Sequence, residues 1–443
     1  MKKNPMKTFK MITLGCRVNQ CESDALGGRL MDSGLSPSRP GAGADVCVIN
    51  TCAVTQKAAM QSRQAIRKAI RRHPGAAVIV SGCYAQTRLE EARKIPGVHY
   101  VAGNADKHKI PDLLKTKPDP GAAFPVVTAG DIRKQRRFAE IPGRGHSAGT
   151  RPSLKIQDGC DAFCSYCVVP LARGPSRSMP VDHVMERLEQ FRENGRREVV
   201  LSGIHLGRYG LDLSPKTSLL ALLSRIEKEK PAERIRLSSI EPQELGRDII
   251  RLVAESDIIC PHFHIPLQSG DDAVLKRMGR RYAVSLFRDR VRLIRDIIPE
   301  AAIGADVLAG FPGETDRAFE NTRSLVEALP LSYLHVFPFS PRRGTRAWSF
   351  PDRVGHETIA RRCAALRELG ERKRRDFYAA FEGQTVSVLF ENRRREKTGR
   401  LKGVSPHYLK VLADGGDARL NAICDVRITG MEGPDLARGE IVS

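Results

Sequence analysis

Short apolar runs alternate with helical stretches along the first quarter of the chain. Three apolar runs, at residues 9–14, 45–50 and 76–81, predict strands, and amphipathic segments between them predict helices. Strands that alternate with helices are typical of a mainly parallel sheet. Residues 1–115 therefore predict a parallel α/β domain.

Predicted strands and helices alternate again over residues 151–380. Six apolar runs there predict strands at residues 154–157, 198–202, 235–240, 262–267, 303–308 and 333–339. Six βα units in series predict an open or partial (β/α)6 barrel, related to the eight-unit design. Residues 116–150 between the two domains are rich in Pro, Gly and charge with little periodicity, which predicts a linker.

The C-terminal pattern is different. A charged helix predicted over residues 357–381 leads to short strand patterns at 385–390, 408–412 and 423–428 with polar turns between them. These predict a small antiparallel β-barrel over residues 383–443, a size suited to nucleic-acid binding. The fold class is therefore α/β with a C-terminal β-barrel.

The charge of the chain points to a polyanionic partner. The formal net charge is +22, and residues 1–110 carry 18 Lys and Arg against 7 Asp and Glu, whereas residues 384–443 carry 10 against 8. An excess of this size favours RNA or DNA as the partner. Part of it lies on one predicted helix that includes Arg67 and Arg71, although a solvated basic face is the ordinary explanation for such a run.

Cysteine use and hydropathy predict a cytoplasmic protein. The basic start, residues 1–7, lacks the apolar run of a signal peptide, and no apolar stretch approaches the length that spans a bilayer. The 11 cysteines are odd in number and few for the length. In a reducing compartment, clustered cysteines are metal ligands or catalysts more often than disulfides.

One loop concentrates three of these cysteines. Cys160, Cys164 and Cys167 stand at C-x3-C-x2-C spacing directly after the first strand of the predicted barrel. Three thiolates leave one iron of a cubane cluster without a protein ligand, and an open position distinguishes catalytic metal sites from structural ones. The alternative is a zinc knuckle completed by a distant fourth ligand, but zinc cysteines usually occur as two C-x2-4-C pairs.

Three further cysteines share a position in the predicted N-terminal sheet. Cys16, Cys52 and Cys83 each stand just past the carboxyl end of a predicted strand. Those ends form one edge of a parallel sheet, where ligands bind. The sequence therefore predicts a second three-cysteine site, the alternative being three unrelated buried thiols.

These motifs together resemble the radical S-adenosylmethionine (SAM) methylthiotransferases over nearly the whole chain. The resemblance is carried by Leu-Gly-Cys-Arg-Val-Asn-Gln around Cys16, Asn-Thr-Cys-Ala-Val-Thr around Cys52, Ser-Gly-Cys-Tyr-Ala-Gln around Cys83, and the segment 156–178 around the C-x3-C-x2-C loop. The family has an N-terminal three-cysteine domain, a radical SAM domain and a C-terminal TRAM barrel. Position 21 departs from its pattern, since Cys21 stands where Tyr is common.

The resemblance implies two [4Fe-4S] clusters and SAM as cofactors. By this resemblance, a cluster on Cys160, Cys164 and Cys167 would bind and cleave SAM to give a 5′-deoxyadenosyl radical. A cluster on Cys16, Cys52 and Cys83 would carry the sulfur that is methylated and delivered. No side chain is assigned a catalytic role, because cofactors carry such steps. The SAM contacts that the resemblance implies are Tyr166, Gly203, Ser239, Glu241 and Gln268.

The implied substrate is an adenosine of tRNA. Within the family, Gly-Cys-Arg-Val-Asn-Gln and Ala-Arg-Gly-Pro-Ser-Arg resemble the subgroup that adds a methylthio group to C2 of N6-threonylcarbamoyladenosine at tRNA position 37. Expected partners are the tRNA anticodon stem-loop and a reductant protein such as flavodoxin or ferredoxin, with no membrane and a monomeric state. Alternatives are the subgroups that act on isopentenyladenosine-37 or on a ribosomal-protein aspartate, and a non-catalytic RNA-binding iron–sulfur or zinc protein.

Overall fold

A computed structural model of the chain describes residues 6–115, 125–141 and 149–442. Residues 1–5 of the basic start, and residues 116–124 and 142–148 of the predicted linker, lie outside the described part. The chain divides into two compact units. Unit 1 comprises Met1–Ala148, Lys155–Met179 and Ser340–Trp348, and unit 2 comprises Gly149–Leu154, Pro180–Phe339 and Ser349–Ser443.

Unit 1 is built on a six-stranded parallel sheet. The strand order is β2-β1-β3-β4-β5-β6, and every neighbouring pair is parallel. The strands are β1 (Thr8–Thr13), β2 (Ser36–Pro37), β3 (Val46–Thr51), β4 (Ala77–Gly82), β5 (Tyr100–Ala102) and β6 (Val126–Thr128). The helices are α1 (Arg17–Asp32), α2 (Gln56–Arg72), α3 (Cys83–Thr87), α4 (Leu89–Arg93) and α5 (Ile110–Leu113). The predicted parallel α/β domain is confirmed.

Both faces of this sheet are covered, as a parallel sheet requires. On one face, Leu26 and Leu30 of α1 pack against Val46, Val48 and Ile79. The opposite face carries Ile66 and Ala69 of α2 against Cys47, Ile49, Val78 and Val80. Because β3 and β4 are buried on both faces, they form continuous apolar runs in the sequence rather than alternating ones.

The predicted linker contributes to this sheet. Val126–Thr128 forms the edge strand β6, which pairs in parallel with Tyr100–Ala102. A 3-10 helix over Ile132–Lys134 follows, and Ile132 is buried. Both elements are only three residues long and lie among Pro, Gly and charged residues, so the sequence shows no periodicity there. The position of β6 is set by its pairing with β5.

The stretch Lys155–Met179 of unit 1 contains the C-x3-C-x2-C loop and the elements that flank it. The chain enters it along β7 (Ser153–Asp158), and the loop is followed by α6 (Val169–Arg173) and β8 (Arg177–Ser178). Gln157 and Asp158 of β7 pair antiparallel with Ser178 and Arg177 of β8. The loop is therefore held at both ends by one short hairpin-like pairing.

Unit 2 contains the other predicted barrel strands. These are β9 (Glu198–Gly203), β10 (Arg234–Leu237), β11 (His262–Gln268), β12 (Ala302–Ala309) and β13 (Tyr333–Pro338). β9 pairs in parallel with β10, and β11, β12 and β13 form a parallel set. The helices are α7 (Val181–Glu193), α8 (Leu219–Glu229), α9 (Arg247–Glu255), α10 (Asp272–Met278), α11 (Val284–Ile297), α12 (Asp316–Ala328) and α13 (His356–Ala379). The Ile240 amide donates to the His264 carbonyl at 3.0 Å, which links β11 to the chain after β10.

The C-terminal segment closes into a five-stranded barrel, which confirms the predicted C-terminal domain type. The order is β14-β15-β16-β18-β17. The strands are β14 (Thr385–Phe390), β15 (Leu401–Val404), β16 (Lys410–Ala413), β17 (Ile423–Met431) and β18 (Ala437–Ile441). All pairs are antiparallel except β16 with β18. Tyr378, in the last turn of α13, and Phe381, just after this helix, belong to the barrel core.

None of the helices within the described ranges has both the length and the apolar composition needed to cross a bilayer.

Candidate active site

The first cysteine set lies along one edge of the unit 1 sheet. Cys16 precedes α1 after β1, Cys52 directly follows β3, and Cys83 is the first residue of α3 after β4. Strands β1, β3 and β4 are neighbours in the sheet. The three thiols are close enough that charge on Cys83 and Cys16 would act on Cys52. The structure therefore brings these three residues together.

Two glycines allow the strand ends to approach each other. Gly15 has φ +100°, and a Cβ there would lie 2.8 Å from Cys52 Cβ and 3.0 Å from Cys52 Sγ. Gly82, with φ +96°, stands so close to Thr51 that a Cβ would overlap its backbone. A side chain at either position would separate the cysteine-bearing loops, so glycine is required sterically as well as conformationally.

Two buried asparagines tie these loops together. The Asn19 side-chain amide donates to the Leu14 carbonyl at 2.7 Å and to the Thr51 carbonyl at 3.0 Å. The Asn50 amide donates to the Asn19 carbonyl at 2.9 Å. These bonds join the chain around Cys16 to the chain around Cys52, and nothing in the sequence indicates them beyond the presence of both asparagines in the motifs.

The second cysteine set lies on the C-x3-C-x2-C loop. Cys160, Cys164 and Cys167 are partly exposed. The Cys160 amide donates to the Gly174 carbonyl at 3.0 Å, and the Ala162 amide donates to Cys160 Sγ at 3.4 Å. Phe163 between the first two cysteines has φ +49° and is 58% exposed. The loop thus presents its thiols outward from a hydrogen-bonded base.

A buried network of charges joins the segments that carry the two cysteine sets. Glu22 of α1 accepts from Lys155 at 2.9 Å, from Arg173 at 3.0 Å, and from Lys107. Arg173 also donates to Asp158 at 2.8 Å and to Asn19 Oδ1 at 2.6 Å. Asp158 lies two residues before Cys160, and Asn19 lies three after Cys16. One guanidinium therefore fixes both motifs within unit 1.

Sequence reasoning missed this network, although α1 carried a signal. Val18, Glu22 and Leu26 are spaced four residues apart and are all buried. A carboxylate on the buried face of a helix requires a cationic partner. Its partners come from residues 107, 155 and 173, however, and no local pattern identifies them.

Arg173 is the nearby cation that acts most strongly on Glu22. Burial alone would raise the pKa of Glu22, but Arg173, Lys107 and Lys155 together hold it well below its ordinary value. Burial raises the pKa of Cys52 to about 11, and it raises the pKa of Cys83 despite the opposing effect of Arg173. Both thiols are therefore protonated at neutral pH unless a bound cation displaces the protons.

Cys21 is not part of either set. It lies within α1, one residue before Glu22, and burial raises its pKa to about 12 despite the nearby Lys155. Cys47, Cys260, Cys363 and Cys424 are buried, as expected for core thiols.

The SAM contacts expected in unit 2 lie at strand ends. Gly203 ends β9, Ser239 and Glu241 follow β10, and Gln268 ends β11. Gln268 has φ +63° at a register shift in the pairing of β11 with β12, which turns this residue out of the regular strand. Glu241 forms an ion pair with Arg280. Tyr166, the fifth expected contact, lies on the loop in unit 1 and is partly exposed.

The face of β11–β13 carries a further polar cluster. His264, Asp306 and His335 each place a ligand atom within 4.8 Å of the other two. In the part of the chain that the structure describes, no other three His, Cys, Asp or Glu residues do so. His264 Nε2 lies 2.8 Å from Asp306, and the Tyr333 hydroxyl lies 2.8 Å from His262 Nε2 and 3.1 Å from His264 Nδ1. His262 and His264 are both buried and hydrogen-bonded.

Comparison with known proteins defines the class. Residues 154–326 match the family model described as Radical SAM superfamily, and residues 8–103 match the one described as Uncharacterized protein family UPF0004. The radical SAM methyltransferase TsrM from Kitasatospora setae has a similar fold, with a TM-score of 0.53 over 75% of each chain at 14% identity. The match of residues 154–326 thus gives the chain a radical SAM domain, which contains the C-x3-C-x2-C loop.

Full-length relatives define the family. The threonylcarbamoyladenosine tRNA methylthiotransferase MtaB of Bacillus subtilis is 36% identical over 96% of this chain and 94% of the relative. The protein of that name from Aquifex aeolicus is 36% identical over 86% and 92%. A tRNA-2-methylthio-N(6)-dimethylallyladenosine synthase from Syntrophotalea carbinolica is 31% identical over 96% and 97%. The chain belongs to the radical SAM methylthiotransferases, a family of enzymes, and proteins named MtaB match it at 34–36% identity.

Proposed function

We propose that this enzyme adds a methylthio group to C2 of N6-threonylcarbamoyladenosine at position 37 of tRNA, in the cytoplasm. The observation that carries the proposal is the end-to-end similarity to proteins of that name, at 34–36% identity. Dimethylallyladenosine synthases are similar over the same length at 30–31% identity. The net charge of +22 fits a tRNA substrate.

Two [4Fe-4S] clusters and SAM fit the donor sets present. One cluster is held by Cys16, Cys52 and Cys83, and the other by Cys160, Cys164 and Cys167. Cysteine thiolates are the ligands of such clusters, and N–H groups that point at sulfur tune their potentials. The Asn104 amide lies 3.6 Å from Cys83 Sγ, and the Ala162 amide lies 3.4 Å from Cys160 Sγ. Tyr166, Gly203, Ser239, Glu241 and Gln268 are the proposed contacts of SAM.

The bound clusters and SAM supply the radical and sulfur chemistry that no side chain here provides. The residues of the chain position these groups and set the local charge. Arg173 places positive charge beside Cys83, which favours the thiolate form in which it binds iron. Gly15 and Gly82 keep the loops around Cys16, Cys52 and Cys83 in close approach. Electrons come from a reductant protein such as flavodoxin or ferredoxin.

The substrate is tested by mass spectrometry of tRNA nucleosides from a strain that lacks the gene. We expect 2-methylthio-N6-threonylcarbamoyladenosine to disappear and its precursor to accumulate, with recovery on complementation by the wild-type gene but not by Cys16→Ala or Cys160→Ala. Loss of methylthiolated isopentenyladenosine instead would assign the enzyme to another subgroup, and so would loss of the methylthio group from the ribosomal-protein aspartate in peptide mass spectrometry of the same strain.

The two-cluster proposal is tested by iron content. Two cubane clusters require roughly eight irons per chain after anaerobic reconstitution, and alanine at all three cysteines of either set should leave roughly four. Stoichiometric zinc without iron would exclude the proposal.

A further inference from the structure

Unit 1 contains a cleft of about 590 Å³ that the proposed chemistry does not use. Its walls come from the first half of α2, from α3 and α4, and from the segment Ser340–Trp348. A cleft of this volume is in the range that accommodates a small ligand or one nucleotide.

The cleft carries an excess of positive charge. Lys57, Arg63, Arg88, Arg342 and Arg343 line it, and Glu91 is the carboxylate among its lining residues. Arg63 and Arg88 share that carboxylate, at 3.7 and 3.6 Å. Five cations around one carboxylate leave most of the positive charge without a counter-ion in the wall of the cleft.

Arg342 is the most informative of these cations. It is 4% exposed, and its Nε is buried without a hydrogen-bond acceptor within the described part of the chain. Burial lowers its pKa, and the neighbouring charge of Arg88 lowers it further. A buried guanidinium with an unsatisfied donor is costly unless an acceptor arrives from outside. An anionic group is the ligand that removes this cost.

The same cleft exposes flat and apolar surface. Trp348 is 40% exposed and Met60 is 44% exposed, and both line the cleft. Arg63 lies over the ring of Tyr84, 5.9 Å from its centroid. An aromatic ring beside guanidinium groups is the combination that binds a base and its phosphate.

The segment that carries Trp348 is fixed within unit 1. The Gln56 amide donates to Ser340 Oγ at 2.9 Å, and the Ala347 amide donates to the Ser165 carbonyl at 2.8 Å. Ser165 lies between Cys164 and Tyr166 on the C-x3-C-x2-C loop. Arg342 is also close to Cys52, and a thiolate at Cys52 would raise the pKa of Arg342. The cleft therefore adjoins segments of both cysteine sets.

We propose that this cleft binds one nucleotide of the RNA substrate, with its phosphate on Arg342 and the neighbouring arginines and its base stacked on Trp348. The proposal rests on the proposed function in so far as it takes RNA to be the substrate. The positive charge of the cleft would suit either a nucleotide or an acidic protein surface. The exposed ring of Trp348 favours the nucleotide, because a base can stack on it.

Trp348 supplies a direct signal, because it is the only tryptophan of the chain. The reconstituted enzyme is titrated with an anticodon stem-loop RNA that carries N6-threonylcarbamoyladenosine, while tryptophan emission and the anisotropy of labelled RNA are recorded. We expect the emission to change and to saturate at the RNA concentration at which the anisotropy saturates.

Matched variants assign the effect to the cleft. Arg63→Glu should raise the Kd for the RNA at least about ten-fold, as the removal of a cation that neutralises phosphate predicts at moderate salt. Lys94→Glu makes the same change of charge at an exposed position of unit 1 that does not line the cleft, and it should stay within about two-fold. Trp348→Ala should weaken binding, and Trp348→Phe should restore it.

Other outcomes overturn the proposal. It fails if the RNA binds while emission and the Kd of Arg63→Glu are unchanged, or if inorganic phosphate alone reproduces the emission change. A response to flavodoxin but not to RNA would make the cleft a protein-docking site. The proposed function can fail separately from this proposal. If the emission of Trp348 changes with RNA as expected but no 2-methylthio product forms, the cleft still binds RNA and the substrate assignment is wrong.

Discussion

At the scale of single residues, Glu22 is the group on which three buried cations depend. Replacement by Gln removes the charge and leaves Arg173, Lys107 and Lys155 with Asp158 as the remaining carboxylate of the network. Breaking a buried ion pair from one side costs about 3–5 kcal/mol. We expect Glu22→Gln to lower the free energy of unfolding by an amount in that range, measured by urea denaturation at neutral pH.

The matched control is Glu90→Gln. Glu90 lies on α4, its side chain is 66% exposed, and it pairs with Arg93. Exposed pairs of this kind contribute at most about 1 kcal/mol. An equal effect of the two substitutions would show that the buried network does not stabilise unit 1.

The same carboxylate gives unit 1 a defined response to acid. The pKa of Glu22 is below its ordinary value of 4.5 in the folded protein. A carboxyl of this kind contributes its full stabilisation above its unfolded-state pKa and loses it as the pH falls through the folded-state pKa. We therefore expect the difference in unfolding free energy between wild type and Glu22→Gln to be constant from about pH 7 to pH 5 and to shrink below about pH 4.5. A difference that grows on acidification would contradict the assignment.

At the scale of elements, the exposed face of α2 makes a prediction about RNA. The helix begins after Thr55, whose side chain accepts from the Ala58 amide at 3.0 Å, and it carries Arg67 and Arg71 on its solvent side. We expect Arg67→Glu with Arg71→Glu to weaken tRNA binding. The slope of log Kd against log salt should fall by about 2, because each arginine would no longer neutralise one phosphate.

The control reverses two charges elsewhere. Lys228 at the end of α8 and Arg251 on α9 are exposed residues of unit 2. The double variant Lys228→Glu with Arg251→Glu should leave the salt slope unchanged. Equal slopes for both double variants and wild type would show that α2 does not contact tRNA.

The elements also show how far the sequence predicts the fold. Long apolar runs such as β3 and β12 are predicted within one residue at each end, because burial on both faces is visible in the composition. β18, Ala-Arg-Gly-Glu-Ile, is not predicted, since its buried positions are Ala437 and Gly439. Such a strand is specified by its neighbours in the closed barrel rather than by its own pattern.

The candidate site divides in the same way. The six cysteines stand in local motifs at strand ends, so their grouping follows from the topology of a parallel sheet. The roles of Arg173 and Arg342 do not follow from the topology, because each acts on residues more than a hundred positions away in sequence. Buried charge in an otherwise apolar pattern indicates that a partner exists, but its identity requires the folded structure.

At the scale of the whole molecule, unit 1 is assembled from three stretches of chain. Asn19 and Glu22 in the first stretch depend on Lys155 and Arg173 in the second. We expect a fragment of residues 1–148 to melt at a clearly lower temperature than a fragment of residues 1–179 in thermal denaturation, because it leaves a buried carboxylate and amide without these partners.

A third fragment separates the effect of the lost hydrogen-bond partners on the melting temperature from the effect of fragment length. Residues 1–179 with Arg173→Ala keep the additional chain but lose the guanidinium, and they should melt close to the shorter fragment. Indistinguishable melting of all three fragments would show that the first 148 residues fold without the second stretch.

The divided make-up of unit 1 also has a consequence for the timing of biosynthesis. Its last stretch, Ser340–Trp348, is synthesised long after Ala148. The roughly 190 residues between them take about 10–40 s at translation rates of about 5–20 residues per second. During that interval the nascent sheet has its cysteine edge in place but lacks the segment that carries Trp348. For the proposed cluster on Cys16, Cys52 and Cys83, iron and sulfur would thus have a period of access before the segment Ser340–Trp348 is made.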